Sequence, residues 1–396
     1  MNQENGRNIA SVSWGDHLSF GEHDGLLNSP DKLRRRMTVW REELDAGTLY
    51  WRQGRRRKNG RYHVAQGYKK AIQQMKDEMN WDDFETVPMI AREFDMKADL
   101  YVSLFAEGWP LASKKERSVS HHNPMHAQHF TWQSHFSRKN PDYLMVDRVD
   151  SRRQWGVLCL AYPEAREYLR NEFLELLNGY EWDGLFICLR TEARPADFAD
   201  QFGFNEPIRR DYKELYGRDI LTEDFDVQLW RDLLGGYLTV FLSELRAELP
   251  KEISLAIGCA RGDIIGPPMG NATLQWPLWV ERKLVDALVV DQNSSRCPSL
   301  WHQLWSMHRG YGYVHNYLDG HNMTELEDHI RTYHSVMDGY DARLYVARQW
   351  SERSESYEEN LLSQEGVEGL VFSTFRHDNP GPLTRGDWVI APDASD

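Results

Sequence analysis

The stretch that decides the fold is PEAREYLRNEFLELLNGYEWDGLFICLR, residues 163–190. It joins a segment of helical period, residues 163–180, to a short apolar run, GLFICLR (184–190), that is typical of a buried strand. The run then ends in charge, with Arg190, Glu192 and Arg194 close together. Desolvating charge is costly, so charged groups at the end of such a strand indicate a function.

Short apolar runs and helical segments alternate along the whole chain, which predicts βα units around a parallel sheet. We predict eight strands, at 9–15, 48–53, 98–105, 184–190, 253–260, 286–292, 343–350 and 369–375. We predict helices within 29–47, 81–96, 163–180, 226–249, 276–285, 323–340 and 356–366. In the first of these, Ser29 is the expected N-cap and Pro30 lies in the first turn.

Eight such units predict a single-domain (β/α)₈ TIM barrel spanning residues 1–396. Two long insertions, about 54–80 and 106–155, are expected to build the wall or lid of a pocket. YGYVHNYL (311–318) is either a ninth strand or an insertion. A doubly wound sheet is the alternative fold, but its usual glycine-rich first turn is missing from the sequence.

The chain has 396 residues and a formal net charge of −14 at pH 7, which disfavours nucleic acid as a partner. Its four cysteines are far apart and show no CxxC spacing, as expected in a reducing compartment. Neither a signal peptide nor a membrane span is visible, so we expect a cytoplasmic protein with no membrane partner. A signal lost from the N-terminus would make it periplasmic or secreted.

Arginine recurs at most of the predicted strand ends, although the protein is acidic overall. Guanidinium groups make planar, two-pronged contacts with carboxylate or sulfate, so the recurrence predicts an anionic substrate. The alternative is that each arginine pairs with a neighbouring acid and holds a loop. The predicted binding residues are Arg52, Arg55, Arg190, Arg194, Arg261, Arg348 and Arg376, together with Asn293 and His315.

Tryptophans near the strand ends are candidates for stacking on sugar rings. Trp51, Trp109 and Trp350 occupy such positions, and we expect Trp109 and Trp350 to form the walls of the pocket. The alternative for any one of them is packing between helices and barrel, which is common for tryptophan in this fold. The helix tryptophans Trp40, Trp230 and Trp279 are assigned to the core.

Carboxylates at separate strand ends are the candidate catalytic groups, namely Glu107, Glu192, Asp263 and Asp291. Glycoside cleavage needs two carboxyl groups roughly 5 to 9.5 Å apart, a separation that different barrel strands can supply. Salt bridges to arginine are the alternative role. Glu206, in Asn-Glu-Pro, is a fifth acid, but Pro207 favours a helix that begins there.

A histidine-rich stretch, residues 121–135, contains His122 and His126 at the i, i+4 spacing of zinc ligands. Pro124 interrupts the pattern and HExxH is missing, so a lid or substrate contact is favoured over a metal. The sequence shows neither a glycine-rich phosphate loop nor a GxSxG elbow. We therefore predict no cofactor and no metal.

Three segments carry a resemblance to a known family: WDGLFICLR (182–190), FGFNEPIRRDYKELYGRDI (202–220) and FDVQLWRDLLGGYLTVFLSELR (225–246). They resemble the bacterial family 10-like glycosylhydrolases, whose usual pattern is a strand-four "DG" start, a "GYNEP" segment, a "YG-D" turn and a long helix ending in "LR". The match is clearest over residues 160–250. The resemblance implies a (β/α)₈ barrel and hydrolysis of glycosidic bonds.

The chain departs from this family at the end of strand four. Many relatives have an Asp-rich end there, whereas this chain has Arg190, Thr191 and Glu192, so only the location is transferred and Glu192 is the nearest equivalent acid. Strand seven, YVARQW, has no carboxylate before Glu352, which argues against paired glutamates on strands four and seven.

The leading hypothesis is a glycoside hydrolase that acts on an oligo- or polysaccharide bearing uronic acid or sulfate. A non-catalytic sugar-acid binding barrel and a metal-dependent TIM-barrel isomerase or hydrolase are the alternatives. The expected partner is a carbohydrate substrate, and a homodimer is possible.

Overall fold

Eight parallel strands close into a barrel in the computed structural model of the protein. The structure describes residues 6–12, 27, 29–52, 62–64, 81–108, 132–150, 152–189, 200–259, 272–290, 326–349 and 355–373. The described strands are β1 (Asn8–Val12), β2 (Ala46–Arg52), β3 (Tyr62–Val64), β4 (Lys97–Ser103), β5 (Trp132–Ser134), β6 (Leu144–Val146), β7 (Arg153–Leu158), β8 (Gly184–Cys188), β9 (Ser254–Gly258), β10 (Ala287–Val290), β11 (Arg343–Gln349) and β12 (Val367–Ser373).

Helices cover the outside of the barrel, apart from a short one that follows β5 in the second insertion. They are α1 (Pro30–Glu43), α2 (Asp83–Glu93), α3 (His135–Lys139), α4 (Pro163–Leu177), α5 (Glu206–Tyr216), α6 (Val227–Glu248), α7 (Trp276–Glu281), α8 (Leu326–Met337) and α9 (Glu355–Leu362). Within the described ranges, no helix is long and apolar enough to cross a membrane.

The strand order around the barrel is β1, β2, β4, β8, β9, β10, β11 and β12, which pairs again with β1. Every neighbouring pair is parallel. The eight predicted strands and the (β/α)₈ barrel are therefore confirmed, and the doubly wound alternative is wrong. Residues 311–318 lie outside the described residues.

The local signals in the sequence explain where the helices begin and end. Ser29 caps α1, since its hydroxyl accepts a hydrogen bond from the backbone N–H of Lys32. Asp226 caps α6 in the same way. Gly217 ends α5 in the left-handed conformation, with φ +71°, which glycine adopts at little cost.

Side chains on each barrel strand alternate between two faces, because successive residues of a strand point in opposite directions. The outward faces pack against the helices in the larger core, which includes the buried tryptophans Trp40, Trp230 and Trp279 as predicted. The lumen of the barrel is filled by a second cluster, namely Ile9, Tyr50, Tyr101, Phe186, Cys188, Ala256, Ala287, Val289, Tyr345, Ala347 and Val371.

The described parts of the two insertions form small antiparallel sheets. β3, from the first insertion, pairs with β5, from the second, with Tyr62 opposite Ser134. β6 pairs with β7. The insertions therefore contact each other through backbone pairing.

Residues 203–205 connect the second of these sheets to the barrel. The buried Asn205 side chain accepts from the Val146 N–H at 3.1 Å and donates to the Leu144 carbonyl at 2.8 Å. Gly203 has φ +124°, and a Cβ there would lie 2.6 Å from the ring of Trp230. In this chain the Asn-Glu-Pro segment thus fastens β6 to the start of α5.

Asn205→Ala should lower the free energy of unfolding by about 2–4 kcal/mol, because a buried N–H and a buried carbonyl lose their partner. Urea denaturation measures this change. Glu206→Gln is the matched control: the side chain is 72% exposed, and the change should stay within about 0.5 kcal/mol. Equal effects of the two variants would contradict the fastening role of Asn205.

Candidate functional site

The carboxyl ends of the barrel strands meet at one face, which we call the barrel mouth. Its described floor includes the last lumen-facing residue of six strands: Ser11, Arg52, Ser103, Cys188, Gly258 and Val289. Ser103 lies beside Cys188, which lies beside Gly258. Ser11, Ser103, Cys188 and Gly258 are small, Val289 belongs to the apolar lumen cluster, and Arg52 carries a positive charge.

Arg52 lies at the end of β2 and is half-buried. One of its terminal nitrogens donates a hydrogen bond to Oγ of Ser103 at 2.9 Å. The guanidinium carbon stands 5.2 Å from the ring centroid of Tyr101, within cation–π distance. Arg52 is therefore held at the mouth by a strand, a hydroxyl and an aromatic ring.

Arg348, the second predicted arginine that the structure describes, has a different environment. It alternates with the lumen residues Tyr345 and Ala347 and so begins on the outward face of β11, with Leu344 and Val346. It is 8% exposed and donates to the carbonyl of Ala347 at 2.9 Å. The structure does not bring it to the lumen face beside Arg52, and its role in binding stays a prediction.

Glu107, one of the candidate acids that the structure describes, follows β4 and is 2% exposed. Its carboxylate accepts a hydrogen bond from the hydroxyl of Tyr168, on α4, at 3.2 Å. Its backbone N–H donates to the carbonyl of Gly156, and its own carbonyl accepts from the N–H of Ser134. Glu107 thus ties the second insertion to the helix layer.

The remaining predicted site residues lie outside the described residues. They are Glu192, Asp263, Asp291, Arg55, Arg190, Arg194, Arg261, Arg376, Trp109, Trp350, Asn293 and His315. Their substrate and catalytic roles stay predictions. His121, His122, His126 and His129 lie outside the described ranges too, within which no group of three His, Cys, Asp or Glu side chains could hold a metal ion.

Two assignments at the strand ends can be decided. Trp51 as a stacking residue is wrong: it is fully buried on the outward face of β2, where its indole N–H donates to Asp83 at 3.0 Å. Glu206 as a helix-start residue is confirmed, since it is the first residue of α5, is exposed and faces Arg210.

Sequence reasoning missed the small hydroxyl residues of the floor. Ser11 and Ser103 carry no motif, and only the alternation within each strand places them on the lumen face. Ser103 contacts Arg52, whereas Ser11 is the register partner of Tyr50. Counting two residues back from Arg52 gives Tyr50, and two back from Ser103 gives Tyr101, both in the lumen cluster. The two-residue period of side-chain direction along a strand was the signal that could have identified these residues.

No family model matches the chain, and no curated protein matches it. Among solved structures it is similar to the galactosidase domain of the α-galactosidase–sucrose kinase AgaSK, with a TM-score of 0.44 at 10% identity over 98% of this chain and 39% of that one. It is also similar to the GH36 α-galactosidase AgaA A355E D548N of Geobacillus stearothermophilus in complex with raffinose, with a TM-score of 0.43 at 11% identity over 97% and 40%.

A third similar structure is the noncanonic maltogenic α-amylase AmyB of Thermotoga neapolitana, with a TM-score of 0.40 at 9% identity over 95% of this chain and 71% of that one. The chain spans about two fifths of the length of the two galactosidases. Similarities at TM-scores of 0.40 to 0.44 determine neither fold nor function; the barrel is established by its own strand order. The resemblance to family 10-like glycosylhydrolases stays a prediction.

A double-mutant cycle on Glu107→Ala and Tyr168→Phe should give a coupling of about 1–2 kcal/mol in the free energy of unfolding, since the two groups share a part-buried charged hydrogen bond. Urea denaturation of the four proteins measures it. The same cycle with Tyr340→Phe, an exposed residue after α8, should be additive. Additivity of both cycles would contradict the anchoring role of Glu107.

Proposed function

We propose that the protein is a glycoside hydrolase that cleaves an oligo- or polysaccharide carrying uronic acid or sulfate groups. The observation that carries the proposal is the fixed guanidinium of Arg52 on a floor of small residues at the mouth of a (β/α)₈ barrel. Active sites of this fold lie at that face, built from residues that follow the strands.

The anionic group of the substrate would bind to Arg52. A guanidinium already held by Ser103 and Tyr101 loses little freedom when it meets a carboxylate or sulfate, and partial burial strengthens the contact. The predicted arginines beyond the other strands, such as Arg190 and Arg261, would add to this site. Trp109 and Trp350 would stack on the sugar rings.

Catalysis would use two of the acids Glu192, Asp263 and Asp291. Asp291 directly follows Val290, the last residue of β10, and Glu192 comes four residues after the end of β8 in sequence. One carboxylic acid would protonate the glycosidic oxygen, and the other would attack the anomeric carbon or activate a water molecule. Glu107, whose carboxylate accepts a hydrogen bond from Tyr168, is a fourth candidate for this pair.

The domain organisation follows from the same proposal. Residues 1–396 would form one catalytic domain, and the insertions at 54–80 and 106–155 would wall the mouth. A protein that binds acidic sugars without cleaving them is the outcome that would replace the hydrolase.

Glu192→Gln, Asp263→Asn and Asp291→Asn test the catalytic assignment. We expect at least two of the three to lower kcat on acidic glycans by about a hundredfold or more, because each would remove a proton donor, nucleophile or base. Release of reducing ends measures turnover. Full turnover in all three variants would end the assignment, and tight binding without turnover by the unaltered protein would favour the binding barrel.

Arg52→Met tests the anion site. Loss of a charged hydrogen bond worth about 1.5–3 kcal/mol should lower kcat/KM on acidic glycans between tenfold and about a hundredfold. The kcat/KM of this variant on a neutral glycan of the same backbone should fall much less. Arg34→Met, which removes an arginine that pairs with Glu93 on the outer helix layer, is the control. Equal losses on both glycans would contradict an anion contact at Arg52.

A further inference from the structure

The opposite end of the barrel lumen contains a polar pocket that the proposed function does not use. It is a small cavity of about 20 Å³, with room for about one water molecule. It is lined at the amino ends of the strands by Thr48, Tyr50, Lys97, Ser254, Arg343 and Tyr345, and by the carboxyl group of Asp99.

Asp99 is the unusual group of this cavity. It points into the lumen two residues before Tyr101 and is 6% exposed. Among the described residues, its Oδ1 has no hydrogen-bond partner. A buried carboxylate without a partner is costly, whereas a protonated carboxyl group carries no charge to desolvate.

The fold makes room for this carboxyl group through a glycine. A Cβ at Gly184, the first residue of β8, would lie 2.6 Å from both Cγ and Oδ1 of Asp99. Gly184 belongs to the WDG segment before the buried strand, so the sequence reserves space for an acid inside the barrel.

The bases near Asp99 favour its charged form, but burial and the repulsion from neighbouring acids outweigh them. Asp183 and Asp286 are the neighbouring acids; Asp183 accepts from the Ala98 N–H and Asp286 pairs with Arg246. The neighbouring bases are Lys97 and Arg343, both exposed, and Arg343 donates to the hydroxyl of Tyr345. The ionisable groups that face Asp99 are Tyr50, Lys97, Asp183, Asp286, Arg343 and Tyr345.

We propose that Asp99 is a proton-operated switch at the amino end of the barrel lumen: it holds a proton in the folded protein, and releasing that proton weakens the folded state. This proposal does not depend on the proposed function. Consistent with it, burial, followed by repulsion from Asp183, raises the pKa of Asp99 to about 7.

The sign of the pH effect follows from proton binding. An unfolded aspartate has a pKa of about 3.9, so between roughly pH 4 and 7 the folded protein binds one more proton at this site than the unfolded chain. The stability that this proton contributes is fully present below the unfolded pKa and is lost as the pH rises through about 7.

Asp99→Asn tests the switch, because an amide resembles the protonated acid in shape and cannot ionise. The folding equilibrium constant of D99N, divided by that of the unaltered protein, should rise roughly tenfold per pH unit between about pH 5 and 7 and level off above about pH 8. Urea denaturation at each pH gives the ratio. The control is Asp341→Asn, which removes a carboxylate that is 97% exposed. The ratio of its folding equilibrium constant to that of the unaltered protein should vary less than about threefold over the same pH range.

Infrared spectroscopy of the unaltered protein is the second measurement, and it decides the question even if D99N does not fold. We expect the C=O stretch of one protonated carboxyl group at pH 6 that is lost above about pH 8. A D99N ratio that stays constant with pH, or a folded protein at pH 6 without any protonated carboxyl band, would overturn the proposal.

Discussion

An aromatic layer inside the barrel is the constraint on which the rest of the structure depends. Tyr50 stacks on Phe186 with ring centroids 4.3 Å apart, and Tyr101 meets Phe186 edge-on at 5.0 Å. These three rings come from three neighbouring strands and fill the middle of the lumen. They keep water and charge at its two ends, so that one closed sheet can carry two separate polar regions.

Strand alternation then fixes what each end contains. On β2 the lumen positions are Thr48, Tyr50 and Arg52, and on β4 they are Asp99, Tyr101 and Ser103. The same two strands thus place an acid below the aromatic layer and an arginine bound to a hydroxyl above it. The basic group lies at the mouth, where this fold binds substrates, and the acid lies in the cavity at the opposite end of the lumen.

The sequence predicted the architecture because its signals are local. Buried strands appear as short apolar runs, and Ser29 and Pro30 indicate the start of a helix. The eight strands and most helix limits could therefore be predicted from the pattern alone. The wrong prediction concerned the direction in which a side chain points from its strand. Trp51 and Arg52 are neighbours on one strand, and neighbouring side chains of a strand point to opposite faces. Trp51 therefore lies in the core around the barrel, whereas Arg52 lies at the mouth. The same alternation could have placed Asp99 in the lumen, because it lies two residues before Tyr101 within an apolar run.

The most direct measurement of the central claim is a crystal structure of the protein with a uronic-acid-bearing oligosaccharide. The account predicts the sugar at the carboxyl ends of the barrel strands, with its carboxylate within hydrogen-bonding distance of the guanidinium of Arg52. A ligand bound at any other face, or one whose acid group points away from Arg52, would contradict it.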